Sequence, residues 1–106
     1  MASILTLDLE SKSFIININK ITNINFDTEE ITEPFPNYLE ISFGGSDDVA
    51  YISFSTKHIS FEVLKQLFEI ILAMMEQSDN KHTFSKRLKV TKDSIEEVKS
   101  IYFINK

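Results

Sequence analysis

Cysteine is missing from this chain, and histidine, glycine and proline are scarce, with two of each in 106 residues. Without cysteine there are no disulfides and no thiolate metal ligands, a composition that suits a reducing, cytoplasmic setting. His58 and His82 are widely separated and have no cysteine to complete a transition-metal site, so both are expected as surface or capping residues. So little glycine and proline argues against a long disordered linker. No apolar run reaches the roughly 18 residues of a membrane span. The segment Met1-Ala2-Ser3-Ile4 shows no basic region leading into an apolar stretch, so no signal peptide is expected.

Recognisable catalytic chemistry is equally sparse. Ser60 lies two residues after His58, but its position before Phe61-Glu62-Val63-Leu64 already explains it as a helix cap. Asp47-Asp48 resembles half of a calcium loop, yet the glycines precede the acids and the distal glutamate is missing. Gly44-Gly45 leads into a strand pattern, whereas phosphate-cradling loops lead into a helix. The pair Glu29–Glu30 has no apolar surroundings to raise a carboxyl pKa. Neither an enzyme nor a cofactor is expected.

What the chain does have is ordinary globular composition, 42% hydrophobic and 25% charged. Its length suits a single domain over residues 1–106. Heavy use of isoleucine, asparagine and lysine points to an AT-rich genome, as in many bacteria and their phages. The hydrophobic period changes at Ser60: apolar residues alternate before it and recur at three and four after it.

Leu5, Leu7 and Leu9, then Phe14, Ile16 and Ile18, form an expected hairpin around Glu10-Ser11-Lys12. Ile24 and Phe26 mark a third strand. Ile21 is out of phase with them, which predicts a turn or bulge near Lys20–Thr22. An acidic loop with Pro34 and Pro36 follows. Leu39, Ile41 and Phe43, then Ala50, Ile52 and Phe54, form a second hairpin about Gly44-Gly45-Ser46-Asp47-Asp48.

Capped by Ser60, a helix should run to about Gln77, with Glu62, Lys65, Gln66, Glu69, Ala73 and Glu76 on one narrow polar stripe. The apolar remainder is about twice as wide as one sheet needs. Phe84, Leu88 and Val90 suggest a further extended segment. Asp93 with Glu96 suggests a capping box for a short final helix carrying Ile95, Val98, Ile101, Tyr102 and Ile104.

The expected fold is therefore α+β: an antiparallel meander of about five strands packed by one long helix, then an extended segment and a short helix. The expected core is Leu5, Leu7, Phe14, Ile16, Ile18, Phe26, Leu39, Ile41, Phe43, Ile52, Phe54, Leu64, Leu67, Phe68, Ile71 and Met75.

The net charge of −5 hides a division. Residues 1–80 carry 13 acidic and four basic side chains, whereas residues 81–106 carry seven basic and three acidic. This asymmetry and the lack of a catalytic set suggest a non-enzymatic protein-binding factor, such as a small bacterial or phage inhibitor, immunity or anti-defence protein. Asp27, Glu29, Glu30 and Glu33, with Asp47 and Asp48, are the expected contacts to a partner with a basic groove. The wide apolar face of the helix suggests a homodimer through Phe61, Val63, Ile70 and Met74. The alternative is a nucleic-acid-linked regulator working through Lys86, Arg87, Lys89 and Lys92 in the basic segment 81–92. A pI near 4.9 opposes nonspecific phosphate affinity.

Overall fold

A computed structural model of the protein describes residues 3–27, 37–44, 50–57, 59–77 and 85–98. Strand β1 (Ile4–Asp8) alternates as its sequence requires: Leu5 and Leu7 are fully buried, and Ile4, Thr6 and Asp8 are half-buried. It pairs antiparallel with β2 (Ser13–Asn17), Leu5 opposite Ile16 and Leu7 opposite Phe14. The connecting turn is closed by the Leu9 N–H donating to the Lys12 carbonyl at 2.8 Å.

A 3-10 turn at Ile18–Lys20 then redirects the chain. The Asn17 side chain accepts from the Asn19 N–H at 3.0 Å, and Asn19 Oδ1 accepts from the Ser3 N–H at 2.6 Å. This pins the turn beside the start of β1 and releases the chain into a second sheet.

That sheet holds β3 (Ile21–Phe26), β4 (Asn37–Phe43) and β5 (Ala50–Ser55) in sequence order, all antiparallel. Two bulges repair its phase. Between Ile21 and Asn23 the register advances two residues on β3 for one on β4, so Thr22 is the extra residue. Ile21, Ile24 and Phe26 then all pack against the core. This is the irregularity that the spacing of Ile21 and Ile24 predicts. A second shift, between Asn37 and Leu39, makes Tyr38 the extra residue on β4. Strict alternation would place Tyr38 with Glu40 on the outer face. In the bulge it is 2% exposed and meets Phe61 edge-on at 4.9 Å. Gly44, with φ of 90°, takes the chain out of β4.

Helix α1 (Phe61–Gln77) begins where Ser60 caps it, the Val63 N–H donating to Ser60 Oγ at 3.3 Å. Glu62, Lys65, Gln66, Glu69, Ala73 and Glu76 are exposed, as the polar stripe requires. Val63, Leu64, Leu67, Ile71 and Met74 are buried on the opposite side. Phe61 and Phe68 both stack on Phe26, with ring centroids 5.6 and 5.1 Å away.

The chain then returns to the first sheet. Strand β6 (Ser85–Val90) lies parallel to β1, with Leu7 beside Leu88, and β7 (Ile95–Glu97) pairs antiparallel with β6. The order is β2-β1-β6-β7, so the described strands number seven in two sheets. Both sheets and α1 enclose one core, and Phe14 of β2 meets Phe54 of β5 edge-on at 5.9 Å.

The α+β class holds, and two finer expectations are corrected. The five strands do not form one meander, because the 3-10 turn separates the hairpins and β6 takes the other edge of β1. Ile95–Glu97 is strand, not the start of a short helix. Thr91 and Ser94 form the preceding turn, with their hydroxyls 2.7 Å apart and the Thr91 N–H donating to the Ser94 carbonyl at 2.9 Å. Residues 99–106, where the rest of that helix was expected, lie outside the described residues.

Within the expected core, Leu5, Leu7, Ile16, Ile18, Leu39, Ile41, Phe54, Leu64, Leu67 and Ile71 are buried. Phe14, Phe26, Phe43, Ile52, Phe68 and Met75 pack against them while partly exposed.

Candidate functional site

Parallel neighbours whose connections leave in opposite directions open a crevice at their carboxyl ends, the usual place for a site in a sheet. Strands β1 and β6 are such a pair. At Leu9 the chain turns from β1 toward β2, and after Val90 it turns from β6 toward β7 on the other side. The segment entering α1 closes one flank, the Ser60 N–H donating to the Lys92 carbonyl at 2.8 Å. Between these pieces lies a cleft of about 1030 Å³.

Its apolar surface comes from Leu9, Ile59, Val90 and Val98, and its basic groups are Lys12, Lys57, Lys89 and Lys92. Ile59 and Val90 belong to the core, which gives this surface a rigid backing. All four lysines are exposed, so each ammonium keeps its water while its stem reaches along the wall. Lys12 also sits 5.2 Å from the centre of the Phe14 ring.

Two acids, Asp8 and Glu10, share the lining. Asp8 is already engaged: Arg87 donates to it from Nε at 2.5 Å and from Nη2 at 3.1 Å, and Ser13 Oγ donates at 2.6 Å. The Arg87 hydrogen bonds foremost, then that of Ser13, hold its carboxyl below the usual value. With Asp8 neutralised in this way, the cleft presents a positive field.

A smaller recess of about 170 Å³ opens beside the cleft and shares Leu9, Lys12 and Ile59 with it. Phe14 and Phe54 form its inner wall, where the two sheets meet.

No family model, curated protein or solved structure matches this chain.

The basic run is divided by the alternation of β6. Lys89 and Lys92 line the cleft, whereas Arg87 is held by Asp8 and Lys86 pairs with Glu97 at 3.7 Å. The four therefore do not form one surface. Lys12 and Lys57, absent from the sequence reading, complete the set with Lys89 and Lys92. Each is an isolated cation in the acidic part of the chain, and only the topology brings it to this end of β1 and β6.

Of the acidic residues, Asp27 is exposed at the end of β3, its N–H donating to the Tyr38 carbonyl at 3.0 Å. Glu29, Glu30, Glu33, Asp47 and Asp48 lie outside the described residues, as do His58 and His82.

The residues expected at a homodimer contact all lie on α1. Val63 and Met74 are 1% and 2% exposed within the chain's own core, and so have no side-chain surface for a second copy. Phe61 and Ile70 are half-buried. They lie roughly 180° apart at about 100° per residue, on opposite flanks of α1. Among the described residues no group of three or more histidine, cysteine or acidic side chains is placed to hold a metal ion. No described helix is long and apolar enough to cross a membrane.

Proposed function

We propose that the chain is a non-enzymatic protein-binding factor of the small inhibitor, immunity or anti-defence type, from a bacterium or phage. Its contact site in this reading is the cleft at the carboxyl ends of β1 and β6. The carrying observation is the convergence of Lys12, Lys57, Lys89 and Lys92 around an apolar surface backed by the core. Surface cations accelerate encounter with an acidic partner, and the apolar surface supplies the area that holds it. A cytoplasmic setting is in keeping with the cysteine-free composition.

The exposed Asp27 supports a second contact through the acidic segment, toward a partner with a basic groove. The nucleic-acid reading draws on the same lysines, but Lys86 and Arg87 are paired within the chain and no aromatic side chain lines the cleft among the described residues.

The test compares affinity capture from a lysate of the encoding organism by the chain and by its Lys89→Glu/Lys92→Glu variant, with bound material identified by mass spectrometry and nuclease digestion. A protein held by the chain and lost by the folded variant supports the reading. Equal capture by both, or capture of nucleic acid alone, refutes it.

A further inference from the structure

The neighbouring recess gives the cleft a chemical specificity that its lysines alone lack. A volume of about 170 Å³ lined by Leu9, Phe14, Phe54 and Ile59, together with Lys12 and two serines, is a largely apolar, open recess at one end of a basic trough. We propose that the cleft takes an acidic peptide segment carrying one large apolar side chain, which packs against the contacting pair Phe14 and Phe54 while flanking carboxylates meet the lysines. This rests on the cleft being the contact site.

The cleft, at about 1030 Å³, is far larger than an inorganic ion requires. Among the described residues the cleft's own apolar lining is aliphatic, and the aromatic rings are confined to Phe14 and Phe54 of the recess, too few to stack successive bases. The chain's net charge of −5 works against an extended polyanion. A short acidic segment meets the lysines without that long-range cost. Lys12 borders both spaces, placing a cation where the backbone of such a segment would pass from recess to trough.

The experiment uses the full chain and three labelled probes in fluorescence anisotropy at low salt. They are a serine-rich dodecapeptide with four glutamates around one central phenylalanine, the same peptide with alanine at that place, and a twelve-nucleotide oligothymidine. The phenylalanine peptide should bind about tenfold or more tightly than the alanine peptide, the gain from burying one ring. Lys89→Glu/Lys92→Glu should weaken it at least tenfold, and Lys89→Gln/Lys92→Gln should fall between. Both variants should keep the circular dichroism of the parent, since these side chains are exposed.

Equal affinity for the two peptides overturns the role of the recess, and tighter binding of oligothymidine than of either peptide overturns the peptide assignment. Should no peptide bind at millimolar concentration while protein capture still depends on Lys89 and Lys92, this inference fails and the protein-binding reading stands. If capture is also independent of those lysines, the reading beneath it fails too.

Discussion

Placing β6 beside β1 has a measurable energetic signature at Leu7 and Leu88. The two are register partners in the parallel ladder, Leu7 is fully buried and Leu88 is 2% exposed. Truncating a buried leucine to alanine costs about 2–5 kcal/mol, lost transfer energy plus the cavity left behind. For Leu88→Ala a value of about 3 kcal/mol is expected, against a total stability on the order of 5–15 kcal/mol. The melting temperature should fall by more than about 10 °C.

A double-mutant cycle isolates the pairing itself. Leu7→Val and Leu88→Val should each cost about 1 kcal/mol and keep the fold. Because the side chains are neighbours, their effects should depart from additivity by about 0.5 kcal/mol or more in urea unfolding. If the cycle closes additively and Leu88→Ala costs under about 0.5 kcal/mol, as a surface substitution would, β6 does not lie on β1.

Asp8→Asn removes a carboxylate whose pKa folding has lowered, so the sign of its pH dependence is fixed. The Asp8 contribution is present above the unfolded value of about 4 and is lost as pH falls through the depressed folded value. Thermal unfolding should therefore show the variant destabilised at pH 7 and converging on the parent in acid; a gap that widens below pH 4 would contradict this. Ser60→Ala should cost about 1 kcal/mol through loss of the cap, read by urea unfolding monitored at the helical dichroism band. Met74→Glu should unfold the chain, whereas Ile70→Glu should leave it folded. Light scattering beside circular dichroism decides this, and a folded Met74→Glu monomer derived from a parent dimer would restore Met74 to an interface.

Much of this fold was legible because alternation and helical period report which face of an element is buried. The stripe from Glu62 to Glu76, the Ser60 cap and the two hairpins follow from that alone, and the displaced phase of Ile21 located the Thr22 bulge. Period does not report which strand is the neighbour. Leu5 and Leu7 alternate identically whether β1 is an edge or carries β6, and Ile16 alternates identically with or without β3 beside β2, so alternation alone does not separate two sheets from one.

Tyr38 was missed because its parity belongs with Glu40 and only the bulge turns it inward. Ile95 and Val98 fit a helical spacing, but three residues of strand are too few for alternation to declare itself. There the pairing of Lys89 with Glu96 and Val90 with Ile95 decides. The cleft lysines come from three separated stretches of chain, so no local pattern could have grouped them.

The parallel ladder also sets a timetable for synthesis. Ile4 is paired with Ser85, so the ladder between β1 and β6 closes only after more than three-quarters of the chain has been made. The β1–β2 hairpin can form early from local contacts, but on the ribosome one edge of β1 must wait without β6. A waiting edge invites pairing with other chains. A nascent chain stalled after α1 would be expected to aggregate or recruit chaperones, whereas release of about a dozen further residues should end that exposure. The last strand of the central pair is thus a completion signal for the first.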